Sequence, residues 1–268
     1  MQIGCKEFDL AKRAYIMGIL NVTPDSFSDG GSHKDIEMAL NYAEKMAKDG
    51  AAIIDVGGES TRPGYERISD GEEIERVAPI IEAIKRRIDV PVSVDTYKPA
   101  VARTAIQAGA DMVNDIWGLQ MEGMAEVVSE AKVPVCVMHN RDVEKRPYVD
   151  LLDDVLNDLR ESIEIGVKAG IERGKIIVDP GIGFAKTYDE NIQVMRELER
   201  LKELGVPVLL GTSRKSMIGL TLDVPVTERL EGTIATTVYG IMRGCSIIRV
   251  HDVKENYRAL KMTEAMLG

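Results

Sequence analysis

One pattern recurs along this chain and limits the folds open to it. A short apolar run rich in β-branched residues is followed by a polar or glycine-rich stop and then by a longer amphipathic segment. Runs that are apolar throughout are typical of strands buried on both faces of a parallel sheet. The eight candidate strands are residues 15–20, 52–56, 90–95, 110–115, 133–139, 175–180, 206–211 and 246–252.

The segments between these runs carry apolar residues three and four positions apart, which predicts amphipathic helices. The clearest of them are residues 35–50, 72–88 and 151–170. In four units a glycine stands just before the next strand, where a left-handed helix cap is expected. These glycines are Gly50, Gly109, Gly170 and Gly205.

Eight strand–helix units in 268 residues match the number and size of a closed α/β barrel, the (β/α)8 TIM barrel. An open, doubly wound sheet is the alternative, but it needs only about six strands and carries a Gly-rich dinucleotide turn after the first. The sequence contains no GxGxxG motif and no Pro/Gly/Ser-rich linker. We therefore predict one barrel domain over residues 1–268, with residues 1–14 as a leading segment that closes the barrel floor.

The charge of the chain argues against a polyanionic partner. Thirty-four Lys and Arg residues against 44 Asp and Glu residues give a formal net charge of −10. Such a surface would repel nucleic acid and anionic membranes. An anionic ligand would therefore need cations gathered locally.

The cysteines and the hydropathy pattern bear on location. Cys5, Cys136 and Cys245 are far apart, odd in number and outside any metal-binding spacing. That usage favours a reducing compartment over a disulfide framework. No apolar run approaches the roughly 20 residues that a membrane span needs, and the opening residues do not resemble a secretory leader. We expect a soluble cytoplasmic protein.

The last predicted strand departs from the apolar pattern. Residues 247–252, IIRVHD, begin as a buried strand but include Arg249, His251 and Asp252. A long charged side chain in a core is costly unless it is paired, so a structural ion pair is one interpretation. The other is a functional site at the end of the strand.

Every predicted strand ends in hydrogen-bonding side chains, and barrel enzymes hold their active sites at that end. Structural alternatives exist for individual residues. Asp55 and Asp115 could cap the following segments, and His139 is better explained as a satisfied core histidine than as a ligand. The set as a whole favours a site. Its members are Asn21, Asp55, Asp95, Asn114, Asp115, His139, Asp179, Ser213, Lys215, Arg249 and His251.

The chemistry of this set suits a flat nitrogen heterocycle joined to an anion. An ionised carboxylate accepts two parallel N–H donors, such as the edge of an amidine-like or guanidine-like ring offers. Lys215 and Arg249 follow the last two strands, on the side where barrel enzymes often bind phosphate. The planar guanidinium of Arg249 can also stack on an aromatic ring.

Two loops rich in Gly, Pro, Ser and Asp follow the first two strands, at residues 21–31 and 57–64. Turn formation explains their glycines and prolines. It does not explain Phe27, Thr61 and Arg62, an aromatic residue and an anion-binding pair. We predict that these loops close over the site and exclude water.

Seven sequence blocks, in order and with their spacing, closely resemble the dihydropteroate synthases of the folate pathway. The blocks are GILNVTPDSFSDGG, IIDVGGESTRPG, VSVDTYKPAVA, NDIWG, VDPGIGFAKT, GTSRKSMIG and RVHDV, and the resemblance covers roughly residues 15–260. It implies a (β/α)8 barrel, in agreement with the strand count. It also implies that 6-hydroxymethyl-7,8-dihydropterin pyrophosphate and para-aminobenzoate are joined, with release of pyrophosphate and 7,8-dihydropteroate.

The resemblance implies how the pterin would be bound. Asp95, Asn114 and Asp179 would bind its amino-pyrimidine edge. Lys215 would hydrogen-bond the pterin carbonyl and a ring nitrogen. The expected catalytic residues are then Asp95, Lys215, Arg249 and His251. Asp95 would stabilise a pterin cation, and the cations would stabilise the leaving group.

The same resemblance implies the pyrophosphate and metal contacts. Arg249 would stack on the pterin opposite Met138, and with Thr61 and His251 it would bind the pyrophosphate. Asn21 is the implied Mg²⁺ ligand. Since one amide oxygen is too few for a protein cage, Mg²⁺ would take its other ligands from pyrophosphate and water.

For para-aminobenzoate, the resemblance places the carboxylate near Ser213, at the start of the following helix, where free N–H groups favour an anion. Phe27, Pro63 and Phe184 would wall the benzoate ring, where sulfonamides would compete. A homodimer is also implied, and the role of residues 139–148 is left open.

The barrel and its motifs leave three alternative functions. A folate-dependent corrinoid methyltransferase would share the barrel and the pterin edge, but it has no pyrophosphate for the SRK and RVHD blocks to bind. A non-catalytic pterin binder would not need Asn21, Arg249 and His251 together. A barrel lyase or aldolase would need a catalytic lysine inside a strand or a carboxylate metal cluster, and neither is apparent in the sequence.

Overall fold

A computed structural model describes residues 1–23, 33–59 and 67–268 of the chain. Within these ranges, eight parallel strands alternate with helices and form a nearly closed (β/α)8 barrel. The predicted fold class is confirmed. Four of the predicted substrate-binding residues, Phe27, Thr61, Arg62 and Pro63, lie outside the described residues.

The chain opens with a short antiparallel hairpin, after which the barrel begins. The hairpin strands are β1 (Gln2–Ile3) and β2 (Lys6–Glu7). The barrel strands are β3 (Tyr15–Asn21), β4 (Ala51–Gly57), β5 (Val92–Asp95), β6 (Met112–Asp115), β7 (Val135–Met138), β8 (Ile176–Asp179), β9 (Leu209–Leu210) and β10 (Ile247–Val250).

Helices cover the outside of the barrel. They are α1 (His33–Asp49), α2 (Asp70–Arg87), α3 (Pro99–Gln107), α4 (Met124–Ala131), α5 (Leu151–Lys168), α6 (Tyr188–Arg196), α7 (Ser216–Leu222), α8 (Leu230–Met242) and α9 (Val253–Leu267), with short 3₁₀ turns at Arg173–Lys175, Leu198–Leu204 and Val226–Glu228. None of the helices in the described ranges combines the length and apolarity that spanning a bilayer would need.

The strands are hydrogen-bonded in the order β8, β7, β6, β5, β4, β3, β10, β9. A single parallel bridge between Val178 and Val208 joins β8 to the residue before β9. That bridge brings the two ends of the sheet together, which closes the barrel.

Three predicted strands begin later than the sequence pattern suggests. Each predicted run starts with a Val-Pro-Val tripeptide, and proline has no N–H to donate to the sheet. The carbonyls of Pro91, Pro134 and Pro207 still accept hydrogen bonds from Ile54, Val113 and Val178 at 3.0, 3.1 and 3.0 Å. The regular ladder therefore starts beyond each proline, and β9 is reduced to two residues.

The sequence of α2 shows why the helices form where they do. Ser69 caps its N-terminus by accepting a hydrogen bond from the Glu72 amide, acidic residues fill the first turn and basic residues fill the last. Both arrangements satisfy the orphan groups and the dipole of a helix. Val77, Ile81 and Ile84 are buried against the barrel.

The glycines predicted to cap helices adopt the left-handed conformation. Gly50, Gly109, Gly170 and Gly205 have φ values of 110°, 112°, 98° and 66°. At Gly50 a side chain is also excluded by packing, since an added Cβ would lie 2.4 Å from the ring of Tyr257.

The barrel interior is filled in layers along the strands. At the floor, Ile3, Phe8 and Leu10 from the leading segment pack on one apolar layer. Because side chains alternate across a strand, the residues two positions further along each strand also point inward. The floor layer consists of Met17, Ile53, Met112, Cys136, Ile177, Leu209 and Ile247.

Truncating a core side chain between barrel and helices should destabilise the fold. Leu156 of α5 is fully buried, so Leu156→Ala removes apolar contacts and leaves a cavity. We expect the free energy of unfolding, measured by urea denaturation, to fall by about 2–5 kcal/mol. Val149→Ala, at a residue that is 96% exposed, is the control and should be near neutral. Equal effects of the two substitutions would contradict this packing.

Candidate active site

The inward positions just above the floor layer carry polar side chains. Asp55, Asn114, Asp179 and Arg249 each stand two residues beyond a floor residue on the same strand. The strand periodicity therefore directs them into the barrel mouth. Most residues of the predicted strand-end set are therefore brought together in this mouth.

Arg249 is the centre of this group. Its Nε donates to Asp55 Oδ2 at 2.6 Å, and its Nη2 donates to Asp95 Oδ2 at 2.5 Å. Asn114 Nδ2 donates to the same Asp55 oxygen at 3.1 Å. The cationic residue of the last strand is thus paired with two carboxylates in the barrel mouth. Arg249 therefore forms the ion pair expected of a buried charge and also lies at the functional end of the barrel.

The protonation of this group is set mainly by burial. Burial raises the pKa of Asp95 to about 7, against the opposing charge of Arg249 and with a further rise from Asp55. Burial lowers the pKa of Arg249, but Asp55 and Asp95 more than offset this and the pKa is raised overall. Arg249 therefore remains a cation beside a carboxyl group whose charge changes near neutral pH.

Asp179 ends β8, and Lys215 follows β9, the segment bridged to β8. Asp179 Oδ1 accepts a hydrogen bond from the Gly181 amide at 2.7 Å. Burial raises the pKa of Asp179, while the charge of Lys215 opposes that rise. Burial likewise lowers the pKa of Lys215 to about 8, against the charge of Asp179. The Lys215 ammonium donates to the carbonyl of Ile182 and lies 4.6 Å from the ring centroid of Phe184.

The two remaining polar residues of the RVHD block point to different partners. His251 Nδ1 lies 3.0 Å from Ser213 Oγ, which also accepts from the His251 amide at 3.1 Å. Asp252 pairs with Arg214, whose Nη2 lies 2.6 Å from its Oδ1. Ser213 and His251 are thereby held together, and Ser213 lies two residues before Lys215 and three before α7.

One side of the mouth is apolar. Met138, Tyr97 and Ile116 form a small buried cluster, and Trp117 and Phe184 pack against it half-buried. Two of these residues, Met138 and Phe184, were predicted from the resemblance to flank the pterin and the benzoate. A flat ring entering the mouth would find acceptors on one side and this cluster on the other.

Asn21 lies at the rim, at the end of β3. A Cβ built on Gly57 would be 3.8 Å from Asn21 Oδ1 and 3.5 Å from Asp95 Cβ, which places the two side chains close together. Among the described residues, no group of three or more His, Cys, Asp and Glu is arranged to hold a metal ion. Asn21 offers an amide oxygen, which fits an ion that takes most of its ligands from a bound substrate.

Asp115 and His139 have structural partners outside the mouth. Asp115 caps the segment that follows β6 by accepting from the amides of Trp117 and Leu119 at 2.8 and 2.7 Å. Burial raises its pKa to about 6. His139 is buried and its Nε2 lies 3.1 Å from Asp158 Oδ2, in the helix layer. The capping alternative therefore applies to Asp115 and the core alternative to His139.

Asp55 is the residue whose place the sequence alone did not resolve. It was open to a capping interpretation, whereas the structure pairs it with Arg249 and Asn114. The period of two from Ile53, in the floor layer, was the available signal for an inward direction. The partner on β10 could not be read because 194 residues separate Asp55 from Arg249.

A pterin-recognising barrel enzyme is the class that this fold and mouth define, and comparisons with known proteins agree. The family model described as pterin binding enzyme matches residues 17–251. Dihydropteroate synthase of Clostridium beijerinckii is 59% identical over 100% of this chain and 99% of its own length. Dihydropteroate synthase of Bacillus subtilis is 56% identical over 96% of this chain and 90% of its own length.

Solved structures give the same result. Dihydropteroate synthase from Clostridium difficile, determined in the presence of pteroic acid, superposes with a TM-score of 0.94 at 50% identity, covering 97% of this chain and 99% of the other. The Xanthomonas albilineans enzyme with 4-aminobenzoic acid gives a TM-score of 0.91 at 42% identity, covering 96% and 94%. The chain belongs to the pterin binding enzymes and, among them, to the dihydropteroate synthases.

The raised pKa of Asp95 predicts a pH-dependent stability. The unfolded carboxyl loses its proton near pH ~3.9, whereas the folded one holds it to about 7. A raised folded-state pKa gives stability that is complete below the unfolded pKa and is lost as pH rises through the folded one. We expect the free energy of unfolding of the wild type to fall relative to Asp95→Asn between about pH 4 and about pH 7.

Urea denaturation over that pH range measures the difference. Glu122→Gln, at an exposed carboxylate, is the control and should show no such slope against the wild type. A difference between the wild type and Asp95→Asn that stays constant over the range would contradict the raised pKa.

Proposed function

We propose that this barrel mouth joins 6-hydroxymethyl-7,8-dihydropterin pyrophosphate to para-aminobenzoate, giving 7,8-dihydropteroate and pyrophosphate. The proposal is supported along the full chain by relatives that carry this name, and related enzymes have been solved with 4-aminobenzoic acid and with 7,8-dihydropteroate. The observation that carries it is Arg249, bound to the buried Asp55 and the half-buried Asp95 beside further hydrogen-bonding groups for a heterocycle.

The pterin edge would be bound by Asp95, Asn114 and Asp179. The amino-pyrimidine edge of a pterin presents N–H donors in one plane, and carboxylate and amide oxygens accept such donors in pairs. Burial of these groups makes a matched ligand favourable and an unmatched one costly, because an unpaired buried polar group carries its full desolvation penalty. Lys215 would donate to the pterin carbonyl, and the guanidinium of Arg249 would face the ring opposite Met138.

The leaving group would be held by hydrogen-bond donors at the same rim. Arg249 and His251 are the described candidates for the pyrophosphate, and Lys215 adds charge nearby. Thr61 is assigned to the same task from the sequence resemblance, and Arg62 is a substrate-binding candidate because it forms an anion-binding pair with Thr61 in the sequence. The Arg249 guanidinium is fixed by Asp55 before any substrate arrives, so its orientation costs little during the reaction.

The reaction we propose is dissociative. The bond between the pterin methylene carbon and the pyrophosphate oxygen breaks, and its electron pair leaves with pyrophosphate. The resulting pterin cation is stabilised by Asp95, and the arylamine nitrogen of para-aminobenzoate then forms the new bond to carbon and loses a proton. No covalent intermediate with the chain is formed.

The arylamine would enter beside Phe184, on the apolar side of the mouth. Its carboxylate would lie near Ser213. The Ser213 Oγ and His251 Nδ1 atoms, which are 3.0 Å apart, form a polar edge there. Phe27 and Pro63 are assigned to the remaining walls of this pocket from the sequence resemblance. Sulfonamides, which share the shape of para-aminobenzoate, would compete here.

Mg²⁺ is proposed as the cofactor, with Asn21 as its ligand from the chain. The ion would neutralise the pyrophosphate charge. Asn21 places one amide oxygen at the rim close to Asp95, where it would orient the ion relative to the pterin site.

The comparisons do not favour the corrinoid methyltransferase alternative, because the full-length relatives carry the synthase name. Pterin binding without turnover would instead indicate a non-catalytic pterin binder.

We also propose that residues 1–268 act as one domain, in the cytoplasm, and as a homodimer. Helices α8 and α9 carry exposed apolar side chains, which support a subunit interface there. These include Met242, Met262 and Met266.

Turnover of the purified protein tests the proposal. Supplied with the pterin pyrophosphate and Mg²⁺, the protein should release pyrophosphate and form a product whose amount depends on para-aminobenzoate. Asp95→Ala removes the group that stabilises the cation, and we expect kcat to fall by about 10²–10³-fold. Glu122→Gln, at an exposed position, is the matched control and should retain activity. Pterin binding without any arylamine-dependent product would overturn the synthase proposal.

The metal assignment makes a separate prediction. Asn21→Ala removes the chain's amide ligand, so half-maximal activity should require about tenfold more Mg²⁺. The measurement is initial rate against Mg²⁺ concentration at saturating substrates. An unchanged Mg²⁺ dependence in a folded Asn21→Ala protein would argue against this ligand.

A further inference from the structure

The loop after β8 connects several parts of the proposed site. It begins at Asp179, carries Phe184 into the apolar side of the mouth, and offers the carbonyl of Ile182 to Lys215. The position of this short loop therefore fixes a ring contact and a lysine together. What holds the loop in place decides how the site is shaped.

Lys186 is an internal support of this loop. Its ammonium donates to the carbonyls of Gly181 and Phe184, each at 3.2 Å, and lies 2.8 Å from Nδ1 of His139. An ammonium group has three N–H donors and no acceptor. All three donors of Lys186 are thus used, two of them on the loop that presents Phe184.

His139 anchors this lysine to the helix layer. Because Lys186 can only donate, His139 Nδ1 is the acceptor and the Nε2–H donates to Asp158 at 3.1 Å. Asp158 is in turn held by Arg141 Nε at 2.8 Å and by Arg146 Nη2 at 2.9 Å. A continuous hydrogen-bonded chain therefore runs from α5 to the backbone of the loop.

The backbone of the loop lies directly against His139. A Cβ at Gly181 would come within 2.0 Å of the His139 carbonyl oxygen, and Gly181 has a φ of 66°. This close approach leaves little freedom for the start of the loop, so a loss of the Lys186 contacts acts mainly on the part that follows, toward Phe184.

We propose that Lys186 is a positioning residue for the arylamine half of the reaction, acting through the carbonyls of Gly181 and Phe184 with His139 as its anchor. The inference rests on the proposed synthase function. Lys186 touches neither substrate in this scheme. It sets the place of Phe184, whereas Ile182, whose carbonyl holds Lys215, lies between Gly181 and Gly183, which His139 and Asn191 hold independently.

The far end of the loop has its own anchor, which separates positioning from folding. Asn191 of α6 accepts from the Gly183 amide at 2.6 Å and donates to the Thr187 carbonyl at 2.7 Å. Thr187 and Glu190 also form a capping box at the start of α6. With Lys186 replaced, the loop should remain attached at Gly183 and Thr187, while Phe184 loses the hydrogen bond to its carbonyl and keeps the one from its amide to the Gly181 carbonyl at 3.0 Å.

The charge of Lys186 adds a pH signature. Burial lowers the pKa of Lys186 to about 7, with Asp179 and Glu190 opposing that change and Lys215 and Arg141 adding to it. Burial also lowers the pKa of His139 to about 4, so the imidazole stays neutral across the same range. Loss of the Lys186 proton removes one of the three donors, which weakens the support as pH rises.

The test compares Lys186→Met with Lys175→Met in otherwise unchanged protein. Lys175 stands at the opposite end of β8, and its Nζ donates to the Lys132 carbonyl at 3.0 Å, so the control also removes a lysine–carbonyl hydrogen bond. KM for para-aminobenzoate, KM for the pterin pyrophosphate and kcat are measured separately over pH. Thermal unfolding verifies that each variant is folded.

For Lys186→Met we expect KM for para-aminobenzoate to rise about tenfold or more, because displaced contact groups lose the productive geometry. KM for the pterin pyrophosphate should stay within about twofold of the wild type. The ratio of variant to wild-type KM for para-aminobenzoate should shrink as pH rises from about 6 to about 8, because the wild type loses its own support there. Lys175→Met should match the wild type.

Two further variants keep the outcome decisive. Lys186→Arg retains the charge with a longer, planar group and should give an intermediate KM for para-aminobenzoate, and His139→Leu should shift KM in the same direction as Lys186→Met. Equal rises in both KM values, or none in a folded Lys186→Met protein, would overturn the proposal. So would failure of Lys186→Met and Lys186→Arg to fold, which would make the lysine a stability element. A wild type without arylamine-dependent product would instead overturn the synthase function itself.

Discussion

The ion pairs of Arg249 with Asp55 and Asp95 organise the barrel mouth. They join β10, β4 and β5 across the interior, at a depth where an unpaired guanidinium would be strongly unfavourable. Asn114 completes the group through the same Asp55 oxygen. Because Asp55 can hold Arg249 alone, Asp95 is the partner that could turn to a substrate without leaving a buried cation unpaired. The two carboxylates can therefore have different roles, because both bind the same arginine.

Burial sets the electrostatic character of the whole mouth. It raises the pKa of Asp95 to about 7, also raises the pKa of Asp179, and lowers the pKa of Lys215 to about 8. Such a site can gain or lose protons when a ligand changes its surroundings, while Arg249 keeps its charge. This combination suits a reaction that separates a cation from a polyanionic leaving group, since fixed and adjustable charges lie side by side.

One half-buried and one buried lysine also support the surroundings of the mouth. Lys186 restrains the loop after β8 through two carbonyls and His139. On another side, Lys98 pairs with Glu59 at 2.6 Å and with Glu73 at 2.8 Å, and it donates to the carbonyl of Ile68 at 2.8 Å. In both places a lysine binds backbone carbonyl oxygens of irregular segments, those of Gly181 and Phe184 for Lys186 and that of Ile68 for Lys98. Directed N–H donors on a long stem allow one buried residue to fix several points of an irregular backbone.

The sequence by itself determined the barrel, because strand and helix periods are local properties and eight repeats leave few alternatives. It also predicted the inward polar set, since the end of a parallel strand is a known place in this fold. The VPV starts were placed too early because the missing proline N–H interrupts the ladder rather than the apolar pattern. The identity of the substrates came from the resemblance of seven motifs, which carries more information than spacing or composition alone.

Tertiary structure decided which polar residues act together. Arg249 and Asp55 are 194 positions apart in sequence, and no local pattern could pair them. Asp115 and His139 look like members of the strand-end set by position, but their side chains turn to backbone amides and to Asp158 outside the mouth. Lys186 stood within a recognised motif without a role until the fold placed it against His139 and two carbonyls. A sequence specifies which faces are buried, whereas the partner of a buried charge depends on contacts between distant segments, which exist only once the barrel has closed.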